Sequence, residues 1–233
     1  MPTSAYEKRR GQLRTYFDQT AVAAWDRLTT DAPVGRIRQT VRAGRNRMRD
    51  TLLEWLPQDL QGKRLLDAGC GTGALAVEAA QRGAHVIAVD LSPTLIKLAQ
   101  ERTPTDLGPG SIDYRSGDML DQELGALDYV VAMDSLIHYP ARDVVATLSA
   151  LAVRTRSAML FTFAPRTPTL MLMHSVGRLF PTGQRAPAIE PAAEATLRRL
   201  LAEPASLSGW QTGRTRRIGS GFYTSQALEV MRS

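Results

Sequence analysis

The stretch LLDAGCGTGALAVEAAQRGAHVIAVD, Leu65 to Asp90, decides the fold. A hydrophobic run ends in an acidic residue, three glycines follow at alternate positions, a helix-like segment comes next, and a second hydrophobic run closes on an aspartate. That order predicts strand, tight turn, helix and strand, the first unit of an open α/β sheet. In such sheets ligands sit at the carboxyl ends of the strands, and a glycine-rich first turn lets the backbone approach them closely.

Outward from this unit the same rhythm continues. A helix is predicted over Pro93 to Glu101, strands over IDYRSGD (Ile112–Asp118) and ALDYVVAMDSL (Ala126–Leu136), a helix over Ala141 to Val153, and a strand over SAMLFTFAP (Ser157–Pro165). After Pro165 the alternation breaks: residues 166–190 read as an inserted helix and loop that covers the substrate, followed by a helix near Ala192 to Leu201. WQTGRTRRI and GFYTSQALEVMR, at the end, read as two strands joined by a turn. Ahead of the sheet, Leu13, Phe17, Ala21 and Trp25 fall at helical spacing in a polar, arginine-rich region. The expected organisation is an N-terminal helical arm or lid, 1–50, and a ligand-binding domain, 51–233. The fold class is α/β and Rossmann-like: a mostly parallel seven-stranded sheet with helices on both faces.

Composition narrows the classes. At 233 residues and 43% hydrophobic content, the chain can bury one large core. A single cysteine, Cys70, excludes an internal disulfide framework and a thiolate-rich metal site; His85, His138 and His174 show no metal-ligand spacing, so no metal site is expected. Neither a signal-peptide pattern nor a long apolar run is present, which predicts a cytoplasmic protein, with adhesion to a membrane surface left open. The formal charge of +6 is concentrated in Arg36 to Arg49 and in Arg214, Arg216 and Arg217, which suits an anionic partner as well as a solvated basic face.

The ligand follows from the turn. A dinucleotide site would read G-x-G-x-x-G and place a pyrophosphate at the helix N-terminus; here Asp67 stands where phosphates would be repelled and a cation attracted. Asp90, about 20 residues beyond the glycines, is placed to hold ribose hydroxyls. Asp118, after the third strand, is placed for an adenine amine, with Met119 against the ring. A cationic amino-acid end, a ribose and an adenine together describe S-adenosylmethionine. The expected cofactor residues are Asp67, Gly69, Gly71, Thr72, Gly73, Asp90, Leu91, Asp118, Met119 and Met133.

DAGCGTG resembles the first motif of class I S-adenosylmethionine-dependent methyltransferases. Four further stretches resemble the magnesium-protoporphyrin IX O-methyltransferase family of chlorophyll and bacteriochlorophyll synthesis: YFDQTAVAAWDRL (Tyr16–Leu28), IRQTVRAGR (Ile37–Arg45), MDSLIHYP (Met133–Pro140), and FAPRT with VGRLFP (Phe163–Thr167, Val176–Pro181). With the terminal FYTSQALEVMR the resemblance spans nearly the whole chain. Three places depart from it: Thr29 and Thr30 replace a Tyr-Gly pair, Arg45 replaces a histidine, and TGQR replaces Gly-Pro-Ser-Lys after LFP. The role of that family tyrosine therefore does not transfer.

The resemblance implies methylation of one propionate of magnesium protoporphyrin IX, with magnesium entering only as part of the substrate. A propionate is already ionised at neutral pH, so His138 is expected to orient it; axial ligation of the magnesium or a structural role are the other readings of this residue. Tyr16 is a candidate contact to the cofactor. Arg38 and Arg42 are candidates for the second propionate, and Trp25, Met171, Met173, Leu179 and Phe180 for the apolar cover of the macrocycle. Delivery from the porphyrin-binding subunit of magnesium chelatase, or at the periphery of a photosynthetic membrane, is the expected partnership, and nucleic acid is not an expected partner. A quinone precursor or phenol is the alternative acceptor, for which His138 becomes a base. A protein that binds nucleic acid through its basic arm, or uses S-adenosylmethionine only structurally, is the reading from outside enzymology.

Overall fold

A computed structural model describes residues 4–19, 35–166, 188–203 and 206–233. Trp25, Met171, Met173, Leu179, Phe180 and the Thr29 region lie outside them, as does most of the 166–190 insertion.

Two helices come first, α1 (Ser4–Gln19) and α2 (Arg36–Trp55). The core then alternates β1 (Arg64–Ala68), α3 (Ala74–Gln81), β2 (His85–Asp90), α4 (Pro93–Arg102), β3 (Ser111–Ser116), β4 (Leu127–Ala132), α5 (Ala141–Ala152) and β5 (Thr155–Phe163). Helix α6 (Glu194–Leu201) and the hairpin β6 (Trp210–Ser220) and β7 (Tyr223–Arg232) complete the chain. The seven strands run in the order β3-β2-β1-β4-β5-β7-β6. The first five are parallel, and β7 enters antiparallel between β5 and β6. Seven strands, mostly parallel, with helices on both faces, is the predicted fold.

The central strands are near-continuous apolar runs because both of their faces are covered. Successive side chains point to opposite sides, and the core divides accordingly. Leu66, Ile87, Val89, Val130 and Phe161 face one cluster with Val144, Leu148 and Leu151 of α5 and Leu197 and Leu201 of α6. Their neighbours Leu65, Val86, Ala88, Val131 and Leu160 face the other, with Met48, Leu52 and Leu53 of α2 and Ala76, Ala79 and Ala80 of α3. Helix α2 thus runs unbroken through the boundary expected at residue 50, and its C-terminal half belongs to the core.

The chain order reverses between β1 and β4, so the strand ends part there and open a cleft. Helix α1 crosses the cleft. It is fastened at one end by Tyr6 and Arg10 to Asp118, and at the other by Asp18, which accepts hydrogen bonds from Ser92 and Thr94 at the start of α4. Tyr6 and Leu13 sink into the core, Tyr6 stacking on Tyr139 at 5.0 Å.

Among the described residues, no helix is long and apolar enough to cross a membrane. The second basic cluster is largely used internally. Arg214 pairs with buried Glu229 and lies over the Trp55 ring, and Arg216 pairs with Glu54, which ties the edge hairpin to the end of α2.

Candidate functional site

The glycine turn explains its own spacing. Gly69, Gly71 and Gly73 have φ of 84°, 55° and 79°, a left-handed backbone that side chains other than glycine rarely adopt. A Cβ at Gly69 would overlap the Ser135 side chain and one at Gly73 the Tyr114 hydroxyl. At Gly71 a Cβ would meet nothing within 4 Å, so that glycine leaves bare backbone facing open cleft.

Above the turn stand two buried carboxylates. Asp90 accepts from the Gly71 and Ser92 amides, at 2.9 Å each, which fixes its orientation beside the turn. Asp67 is 2% exposed, and its Oδ2 has no hydrogen-bond partner among the described residues. Burial, and then the charge of Asp90, push the Asp67 carboxyl up to about 7; burial also raises Asp90. A buried carboxylate oxygen without a partner is costly unless a ligand supplies a donor or a cation. Facing a cleft, it is the complement of an ammonium group. The residues therefore fit S-adenosylmethionine: Asp67 toward its charged end, Asp90 with acceptor capacity for the ribose.

The cleft is lined by Asp67, Gly69, Gly71, Thr72, Asp90, Leu91, Met119 and Met133 from the expected cofactor set. Gly73 lies behind the turn and caps α3. Asp118 is not on the cleft surface: its Oδ1 accepts from Tyr6 (2.9 Å) and from the Leu120 amide (3.0 Å), and its Oδ2 meets Arg10. In the arrangement observed it anchors the arm.

His138 lies in the cleft, 8% exposed, on the short turn after β4. Phe17 of α1 packs edge-on to its ring at 5.9 Å, and its Nδ1 is 3.3 Å from the Ala188 carbonyl oxygen. It does not cap α5, whose N-cap is Pro140. Tyr16 is half-buried and edge-on to Phe17 at 5.3 Å, off the cleft surface. Of the two candidate arginines, Arg42 lines the cleft while Arg38 is exposed outside it.

Helix α2 also brings Arg45, Asn46 and Arg49 to the cleft, and the loop after β4 brings Asp134 and Ser135. Sequence reasoning gave these no role in the site. The signal was present in the RAGRNRMR spacing, which repeats arginines at positions 42, 45 and 49, three and four residues apart and so on one face. Leu13, Phe17 and Tyr139 complete an apolar wall opposite. One cleft thus holds buried acids, arginines and an apolar surface.

The chain is similar to known proteins. Residues 132–232 match the family described as Magnesium-protoporphyrin IX methyltransferase C-terminus, and residues 65–157 match a general methyltransferase domain. The chain is 48% identical over 227 residues to the magnesium-protoporphyrin O-methyltransferase of Rhodobacter capsulatus, covering 97% of this chain and 98% of that protein. The crystal structure of magnesium protoporphyrin IX methyltransferase from Synechocystis PCC 6803 with bound SAH superposes with a TM-score of 0.83 at 31% identity, covering 96% of this chain and 100% of that one. A ubiquinone biosynthesis O-methyltransferase from Bordetella avium is 30% identical over 174 residues, 68% of this chain and 71% of that protein. With near-complete coverage at nearly half identity, the chain belongs to the magnesium-protoporphyrin O-methyltransferase family.

Proposed function

We propose that this chain transfers the methyl group of S-adenosylmethionine to one propionate carboxylate of magnesium protoporphyrin IX, giving the monomethyl ester in chlorophyll or bacteriochlorophyll synthesis. The observation that carries this reading is the charge content of the cleft: a buried acid at the end of β1 with one oxygen unpartnered among the described residues, and Arg42, Arg45 and Arg49 of α2, of which Arg45 pairs with Asp134 and Arg49 with Glu78. A cationic donor and an anionic acceptor are thereby drawn to the same cleft. Full-length similarity to the Rhodobacter capsulatus enzyme supports the choice of acceptor.

S-adenosylmethionine supplies an electrophilic methyl. The residues have no difficult proton to remove, since the propionate is already ionised. Their work is alignment and exclusion of water. Asp67 and Asp90 hold the donor, and Gly71 admits it closely. Leu13, Phe17 and Tyr139 strip water from an anion and a sulfonium that combine into neutral products. Placing oxygen, methyl and sulfur in line accounts for several of the roughly 7–11 kcal/mol accessible to orientation. When Nδ1 of His138 carries a proton, it donates to the Ala188 carbonyl, so Nε2 can donate to a propionate only in the imidazolium form. In that form the ring orients the nucleophile. A phenolic acceptor would use the neutral ring as a base instead.

The macrocycle is poorly soluble and reaches the cleft from a membrane or from the chelatase subunit that carries it. The hairpin tip, where Phe222 is 59% exposed, supports contact with an apolar or membrane surface. The arm of 1–50 acts as lid through α1, the part fastened over the cleft.

The test is turnover with magnesium protoporphyrin, metal-free protoporphyrin and a catechol, read by product mass. A single added methyl on the magnesium porphyrin, with the catechol unchanged, is expected. Preferred methylation of the catechol would overturn the assignment.

A further inference from the structure

Asp134 is, among the described residues, the one outside glycine with positive φ, at 53°. A left-handed aspartate costs of the order of 1 kcal/mol and persists where its surroundings hold it there. They do so from three elements. Its amide donates to the Thr162 hydroxyl on β5 at 2.7 Å. Its carboxylate accepts from Ser225 at 3.0 Å and Tyr223 at 3.1 Å on β7, and from Arg45 on α2 at 2.8 Å. The side chain is 5% exposed, against 21% for Arg45.

A buried carboxylate with several donors is expensive to assemble, and replacing such a group by apolar residues is often neutral or stabilising. The sequence nonetheless arranges for it. Gly44, buried in α2, has no side chain because the Tyr223 ring occupies that space, which brings the helix close enough for Arg45 to reach the carboxylate. Burial and the adjacent Asp134 push the Tyr223 phenol up, so it stays a donor at neutral pH. Arg45 and Asp134 both line the cleft, on the wall that also carries Arg42.

We infer that Asp134 is a positioning residue for acceptor recognition: through Arg45 it fixes the arginine-bearing face of α2 against the cleft, and Arg45 so held meets a propionate carboxylate of the acceptor. A guanidinium held by Asp134 is already positioned, so less side-chain freedom is lost when it also meets a ligand carboxylate. The inference rests on the porphyrin reading, because a dianionic acceptor gives the second arginine of this wall something to hold.

The decisive experiment compares wild type with Asp134→Asn, Arg45→Met and the double variant, measuring kcat and KM for magnesium protoporphyrin and, by calorimetry, Kd for S-adenosylhomocysteine. Wild-type turnover tests the porphyrin reading by itself; the variants test the pair. Asp134→Asn is expected to raise acceptor KM about five- to tenfold with kcat and cofactor Kd nearly unchanged, and to add nothing in the Arg45→Met background. If Asp134→Asn does not fold, Arg45→Met alone decides, since that side chain is partly exposed. An unchanged KM in Arg45→Met, a loss confined to cofactor Kd, or additive effects in the double variant would overturn the inference.

Discussion

The two walls that the proposed function assigns to the cleft are built in opposite ways. The donor wall is local: Asp67, the glycines and Asp90 lie within one strand-turn-helix-strand unit, and the hydrogen bond from the Gly71 amide to Asp90 spans 19 positions. The acceptor wall is assembled from distant parts: Arg45 meets Asp134 across 89 positions, and Tyr223 reaches the same carboxylate from the last strand. Electrostatic satisfaction differs too. One oxygen of Asp67 has no partner among the described residues, whereas Asp134 is supplied from three elements. The donor wall stores a cost that a ligand repays; the acceptor wall is settled before its ligand arrives.

The sharpest way to break this contrast is Asp67→Asn. The isosteric amide removes the charge that meets the donor, and cofactor affinity is expected to fall by ~100-fold or more in calorimetry. The sign for stability is opposite. A carboxyl whose folded pKa is raised to about 7 contributes stability that is fully present below its unfolded value and lost as pH rises through 7. The cofactor-free variant should therefore melt higher than wild type at pH 8 and close to it at pH 4. Unchanged affinity, or a lower Tm at pH 8, would show that Asp67 is not the stored cost.

Wild type should report the same group by titration. In the free protein Asp67 picks up a proton as pH falls through about 7, while a bound cation favours the ionised form. Cofactor affinity is then flat above pH 8 and drops about tenfold per unit below 7, with proton release on binding measurable in buffers of different ionisation enthalpy. Asp90, raised in the same direction by burial, steepens the loss further down. An affinity independent of pH from 5.5 to 8 would remove Asp67 from cation binding.

A smaller effect is expected at the arm that bridges the walls. Arg10→Ala cuts the contact to Asp118, and Asp18→Ala cuts the bonds to Ser92 and Thr94. Each should raise the cofactor off-rate about three- to tenfold in stopped-flow displacement, and both together more. No change in the double variant would mean that α1 does not govern access.

This contrast also explains what was legible in the chain. The sheet and the glycine turn with its flanking acids could be read because they are written in contiguous patterns: HVIAVD, for example, occupies His85–Asp90 in the structure as it does in the sequence reading. Asp118 was legible as a third strand-end acid, but not its capture by Tyr6 and Arg10, more than 100 positions away. The arginines of β6 suited an anionic partner as well as a solvated face; two of them are occupied by Glu229 and Glu54, whose approach depends on tertiary packing. The same limit hid Asp134, whose partners become neighbours only when β5, β7 and α2 converge.

The smallest expected effect separates two arginines that the sequence treats alike. Arg38 and Arg42, both candidates for a propionate, are four apart on α2 and so share a face of the helix. The cleft reaches only as far as Arg42; Arg38, one turn earlier, is exposed beyond it. A guanidinium in the cleft faces a ligand with little water between them, whereas an exposed one works in high dielectric under salt screening. Arg42→Ala should raise acceptor KM about tenfold with cofactor Kd unchanged, while Arg38→Ala should move either by less than about twofold at physiological salt. Because a long-range charge effect would be screened and a direct contact would not, repeating Arg38→Ala at low salt gives the more stringent check. An Arg38 effect that matches Arg42 at high salt would mean that the acceptor wall extends a full turn further along α2 than its cleft.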